Sequence, residues 1–219
     1  MMIRICPSIL NANHQDLPGE MAIVSTDADL IHLDIMDNIF VPNMTFSLTQ
    51  AKEIIGSSPL PVDTHLMVIN PDEVAVEYAK AGSKSVSFHL EASSKPEITI
   101  KCIKDSGARA GVALKPDSDF SEVAEFMNHL DMLLIMTVEP GFGGQSFMES
   151  MMPKVEQARK YIGEHALKDI WLQVDGGISL ETIARAAQAG ADTFVAGSAI
   201  YKSPDPAAVC RELRAIASR

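Results

Sequence analysis

The chain has 219 residues, 47% of them hydrophobic and 21% charged, an ordinary mixture for a globular protein able to bury a sizeable core. Its formal net charge of −11 argues against nucleic acid as a partner, because holding a phosphate backbone depends on clustered Lys and Arg. No run approaches the roughly eighteen apolar residues of a membrane span, and "MMIRICPSILNANHQ" lacks the features of a secretory leader, so a cytoplasmic protein without a membrane partner is expected.

Short runs rich in Val, Ile, Leu and Met recur along the chain, each followed by apolar residues at helical spacing. The first run is "RICPSIL". The helix after it is weakly signalled, since Pro18-Gly19 falls where it should be under way, and its start is expected towards Glu20. "LIHLDIM" and "PVDTHLMV" follow, the latter leading into a helix that opens at Asn70-Pro71-Asp72 and ends at Gly82. "SVSFHLEA", "RAGVALKP" and "MLLIMTVEP" come next, and after the last of these Val155, Ala158, Tyr161 and Ile162 mark a helix. The helix after "IWLQVDGGI" is expected from Ser179 to Gly190, and the one after "TFVAGSAIY" to open with Ser203-Pro204.

Eight strand–helix units of about 27 residues, with no linker or shift in composition, predict an α/β fold. The expected form is one closed (β/α)8 barrel domain over residues 1–219, in preference to an open doubly wound sheet. The units share pattern rather than sequence, which argues against a repeat array. Cys6, Cys102 and Cys210 are odd in number, far apart and without C-x-x-C spacing, so neither a disulfide framework nor a thiolate metal site is expected.

In such a barrel alternate side chains of each strand point into the lumen, and active sites lie at the carboxyl ends of the strands. On the second strand Ile31, Leu33 and Ile35 share one face, and His32, Asp34 and Met36 share the other. The same parity groups Asp63, His65 and Met67 on the third strand, and Gln173 with Asp175 on the seventh. Two histidines and two aspartates thus converge near one end. Any one of them alone reads as a hydrogen-bonded core group, but carboxylates are rarely buried unless paired or metal-bound, so the cluster points to a cation. Two imidazole nitrogens and two carboxylate oxygens suit zinc, ferrous iron, manganese or cobalt. Met36, Met67 and Met136, at inward positions of similar height, are expected to form an apolar wall around that metal, strengthening electrostatic stabilisation there.

Glycine-rich segments follow the last three strands: "PGFGGQ" with Gly141, Gly143 and Gly144, "DGGI" with Gly176 and Gly177, and "AGSAI" with Gly197 and Ser198. In barrels the loops after strands seven and eight are a recurrent phosphate site, because their backbone N–H groups are free to face an anion. A short phosphorylated substrate is therefore expected between the metal and these glycines.

At these residues the sequence resembles the ribulose-phosphate 3-epimerase family. "CPSIL", "HLDIMD", "FVPN", "HLMV", "MTVEPGFGGQSF", "VDGGI" and "AGSAIY" fall in the family's order and spacing over essentially the whole chain. The resemblance implies a barrel of the ribulose-phosphate-binding type and one divalent metal held by His32, Asp34, His65 and Asp175. It implies that Asp34 and Asp175 double as acid and base, that Ser8 and His65 touch the substrate, and that Gly144, Gly177, Gly197 and Ser198 help bind its phosphate. The activity implied is inversion of carbon 3 of D-ribulose 5-phosphate to D-xylulose 5-phosphate through a metal-stabilised enediolate, in a homo-oligomer. Inverting such a centre requires a proton to leave one face and another to arrive on the opposite face, which is why two carboxylates are needed.

His89 and Glu91, at inward parity on the fourth strand, are candidates either for orienting His65 or for a structural pair. The sequence departs from the family where Asn38-Ile39 stands in place of the usual Gly-His, and where Ser47 replaces a glycine. Asn tolerates the left-handed backbone of that turn, but the missing imidazole leaves open the six-carbon alternative, D-allulose 6-phosphate. A metal-independent decarboxylase or aldolase would need an inward catalytic lysine beside an Asp. A non-catalytic phosphosugar-binding barrel should lack one of the acids or ligands, and none is missing.

Overall fold

The structure, a computed structural model, describes residues 2–219. Its eight strands are β1 (Arg4–Pro7), β2 (Ile31–Met36), β3 (Val62–Met67), β4 (Ser85–His89), β5 (Arg109–Leu114), β6 (Met132–Met136), β7 (Trp171–Asp175) and β8 (Thr193–Ala196). All pair in parallel in the order β1-β8-β7-β6-β5-β4-β3-β2, and the ends meet through a bridge between Ser8 and His32. This is the (β/α)8 barrel that the eightfold alternation predicts.

Strands buried on both faces must be apolar towards the helices, whatever they carry inside. Ile31, Leu33 and Ile35 of β2 and Leu66 of β3 join the layer between sheet and helices. The register pairs His32 with Asp63, Asp34 with His65, and Met36 with Met67, so these side chains share the other face of the sheet, the lumen. At the amino-terminal end, Trp171 lies between the guanidinium groups of Arg4 and Arg109, 4.4 and 4.1 Å from its ring centre, and floors the barrel.

The helices differ from expectation mainly at their ends. α1 (Leu17–Val24) starts before Pro18: Asp16 caps Gly19, and a proline in the first turn lacks only an N–H that has no helical partner there. α2 (Leu48–Ser57) opens on a capping box of Ser47 and Gln50, which gives the serine that replaces a glycine a structural role. α3 (Pro71–Lys80) and α4 (Pro96–Asp105) both carry proline in the first turn. After β5 the chain makes two 3-10 segments, Phe120–Glu122 and Ala124–His129; Phe120, Val123 and Met127 are buried at helical spacing, which is why the pattern reads as a helix.

α5 is Met152–Glu164 and α6 is Ile183–Gln188. The latter starts later than expected because the Thr182 hydroxyl accepts from the Ser179 N–H and donates to the Gly177 carbonyl, holding residues 179–182 as a turn. A one-turn helix, α7 (Ser198–Tyr201), precedes α8 (Pro206–Ala217). Between Pro204 and Pro206 the choice of start falls to Asp205, whose carboxylate caps Ala208 at 2.9 Å.

Asp72 in the first turn of α3 ties that helix to the approach to α4, accepting from Ser93, Ser94 N–H (2.8 Å), Lys95 N–H (3.2 Å) and Thr99 (2.6 Å). Burial raises its carboxyl, but these donors outweigh that and hold it below the usual carboxylate range. A depressed acid stabilises the fold above its unfolded value, about pH 4, and that stabilisation is lost as pH falls through the folded value. Asp72→Asn is therefore expected to cost about 1–2 kcal/mol at pH 7. In urea denaturation the gap from wild type should narrow steadily below pH 4.

Candidate active site

β2, β3 and β7 deliver His32, Asp34, His65 and Asp175 to the carboxyl end of the lumen, and one donor atom from each lies within 4.8 Å of the others. His32 Nε2 is 3.3 Å from Asp34 Oδ1 and 3.8 Å from Asp175 Oδ2. His65 Nδ1 stands 3.4 and 3.7 Å from the same two oxygens. These separations exceed the roughly 2.7–2.9 Å of a charge-assisted hydrogen bond, and both ring nitrogens are buried with no hydrogen-bond partner.

The local electrostatics follow from this crowding. Burial pushes His32 and His65 down, yet the facing carboxylates, Asp34 and Asp63 for His32 and Asp175 and Asp34 for His65, push back harder, so both imidazoles stand above their ordinary range. Burial raises Asp34, but the two imidazoles outweigh it and hold that carboxyl well below the carboxylate range. A pocket that draws extra protons onto two buried rings draws a divalent cation for the same reason. Two bare ring nitrogens and two carboxylate oxygens are a fitting donor set for one. The group could therefore hold a divalent metal, with His32, Asp34, His65 and Asp175 as its ligands.

A layer beneath supports the cluster. His32 Nδ1 is 2.8 Å from Asp63 Oδ2, and Asp63 also accepts from Ser85 (2.7 Å) and from Gln173 Nε2 (2.7 Å). Burial raises Asp63, and these contacts bring it below its usual value. His65 Nε2 lies 3.1 Å from His89 Nε2, and His89 Nδ1 lies 3.2 Å from Glu91 Oε2. Burial pushes His89 down to about 4. Glu91, raised by burial but bound by His89, Ser118 and the Lys115 N–H, falls to about 2.

Above the cluster opens a cavity of about 610 Å3. Ser8, Asp34 and Asp175 line it together with Met36, Met67 and Met136; His32 and His65 are wholly buried below. The Ser8 hydroxyl donates to Asp34 Oδ2 at 2.6 Å, so Asp34 keeps Oδ1 for the imidazoles. The rest of its wall includes Gly141, Gly143, Gly144, Gly176, Gly177, Gly197 and Ser198. At Gly177 the requirement for glycine is plain: φ is +65°, and a Cβ would collide with the backbone of Phe147.

Two residues of this wall escaped the sequence reading. Asn11 packs where a Cβ on either Gly143 or Gly197 would strike it, so it fills the gap between two of the glycine segments. Lys202 is the only basic residue lining the cavity among those described, beside Ser198 and Gly144. Its signal was the single cation immediately after "AGSAIY". At the family departure, Asn38 does adopt the left-handed backbone, with φ 59°, while Asp37 accepts the N–H groups of Ile39, Phe40 and Ile69 at 2.8 Å each. Ile39 is 72% exposed and does not line the cavity.

Comparison with known proteins agrees with this arrangement. The family model described as "Ribulose-phosphate 3 epimerase family" matches residues 4–201. A ribulose-phosphate 3-epimerase of Mycobacterium leprae (strain TN) is 44% identical over 210 residues, covering 96% of this chain and 93% of the relative. That of Bacillus subtilis (strain 168) is 40% identical over 214 residues, covering 97% and 99%. Among solved structures, a 3-hexulose-6-phosphate synthase superposes with a TM-score of 0.72 at 21% identity, over 98% of this chain and 99% of that one, a likeness of fold. With agreement running from β1 through α7 and across two distantly related bacteria, the chain belongs to the ribulose-phosphate 3-epimerase family, and so to the isomerases.

Proposed function

We propose that this chain inverts carbon 3 of a ketose phosphate, converting D-ribulose 5-phosphate to D-xylulose 5-phosphate. The observation that carries the reading is the pair of carboxylates, Asp34 and Asp175, which line the cavity together with the glycine segments and converge with two partnerless imidazole nitrogens buried beneath it. His32, Asp34, His65 and Asp175 would hold a divalent ion, zinc or ferrous iron by preference and manganese or cobalt by the same donor logic. Bound there, it supplies positive charge against the oxyanion that develops as carbon 3 loses its proton, worth several kcal/mol in order of magnitude.

The chain's own groups do the rest. Asp34 and Asp175 come from strands separated by β1 and β8, so they approach the substrate carbon from different directions. One removes the proton and the other returns one to the opposite face, each contributing roughly 10²–10⁴-fold. Ser8 orients Asp34 by occupying its second oxygen. Met36, Met67 and Met136 keep water away from the developing charge. The phosphate is received by N–H groups of Gly144, Gly177, Gly197 and Ser198, with Lys202 answering its charge at the mouth.

In deuterated water, metal-loaded protein should place deuterium at carbon 3 of ribulose 5-phosphate while epimerising it, and chelation should abolish both. Asp175→Asn should lower turnover by at least 10²-fold; near-normal turnover would sink the two-base account. Exchange with D-allulose 6-phosphate but not with ribulose 5-phosphate would reassign the sugar, and exchange with neither would leave only a phosphosugar-binding barrel. Lys202→Met is expected to raise KM about tenfold with little change in kcat. That penalty should shrink at high ionic strength, where wild type loses the same attraction.

A further inference from the structure

We propose that Glu91 is a positioning residue that, acting through His89, fixes the tautomer of His65 and leaves His65 Nδ1 bare at the metal centre. The inference rests on the metal reading given above. Glu91 Oε1 accepts the Lys115 N–H at 2.7 Å and the Ser118 hydroxyl, both from the loop after β5. Its other oxygen faces His89 Nδ1 and, being a carboxylate oxygen, can only accept. His89 therefore carries its proton on Nδ1, and its Nε2 has only a lone pair.

That lone pair lies 3.1 Å from His65 Nε2. Of the two facing nitrogens one must donate, and only His65 still can. With its proton on Nε2, His65 presents a bare Nδ1, the atom that has no hydrogen-bond partner and points at Asp34 and Asp175. The opposite order of protons would set a lone pair of His89 against the carboxylate of Glu91. It would also put a proton on the atom that should bind a cation. Asp63 does the same for His32 in one link rather than two: it takes Nδ1–H and leaves Nε2 bare. Residues 115–118, which do not line the cavity, thus bear on the ligand set.

Glu91→Gln tests this with little change of shape. Its single oxygen is claimed by the Lys115 N–H and the Ser118 hydroxyl, so its NH2 turns to His89 and reverses the protons on both rings. Zinc affinity, read by competition with a chelating dye, should fall about 10–100-fold, while the thermal midpoint of the metal-free protein stays close to wild type. An unchanged affinity in the folded variant would overturn the proposal. Should the variant not fold, wild type decides. In long-range proton–nitrogen spectra of the zinc-loaded protein, His65 should show Nε2–H coupled across the hydrogen bond to an unprotonated His89 Nε2. A proton on His89 Nε2 would overturn the proposal. Zinc binding with these tautomers but no exchange at carbon 3 would remove the reaction and leave this inference standing; no zinc uptake by wild type would remove both.

Discussion

A carboxylate taken into a barrel lumen loses its water and must be compensated inside. Everything at this site follows from how that is done. Asp63 is compensated completely, by Ser85, Gln173 and the Nδ1 side of His32. Asp34 is compensated by Ser8 on one oxygen and, on the other, only by imidazoles standing too far off to share a proton well. Asp175 is left to the cavity. Asp63 and Asp34, aspartates in adjacent layers of the lumen, thus differ in how fully their oxygens are occupied, and that difference sets the supporting carboxylate apart from the one facing the cavity.

Parity along the strands was enough to find the lumen. Ile31, Leu33 and Ile35 alternate with His32, Asp34 and Met36 so cleanly that the inward set could be named from the sequence. Parity does not give height, however, and three inward aspartates compete for a site with room for two. Only the register, which sets Asp63 beside His32 and Asp34 beside His65, shows that Asp63 sits a layer down with its oxygens occupied. Helix ends were less legible for a similar reason. The starts of α6 and α8 turn on which of several adjacent Ser, Thr and Asp side chains captures a backbone N–H, and that choice is made by three-dimensional placement.

The loops carried the remainder. Asn11 and Lys202 sit at positions no strand parity addresses; Asn11 reaches the cavity because Gly143 and Gly197 leave it space, and Lys202 lines it from the end of α7. Glu91 is a milder case: parity placed it on the fourth strand, whereas β4 ends at His89 and Glu91 stands in the 3-10 turn Leu90–Ala92 that follows, where its hold on the Lys115 and Ser118 segment depends on a neighbouring loop. At Asn38-Ile39 the backbone is what a Gly-His pair would have needed, while the isoleucine lies in solvent outside the cavity. The departure from the family is thus confined to the rim.

The two carboxylates are also unequally sheltered. The Asp34 side chain is 4% exposed and that of Asp175 17%, and both line the cavity, which is their doorway to solvent. In the acid–base roles proposed for them, a hydrogen resting on Asp175 trades with the bath through that doorway. One resting on Asp34, which lines the same cavity, is more closely screened, by Ser8 at one oxygen and the rings at the other. The two directions of the reaction would then differ in how much of the abstracted isotope finds its way back, giving the barrel a memory on its buried side and forgetfulness on its open one.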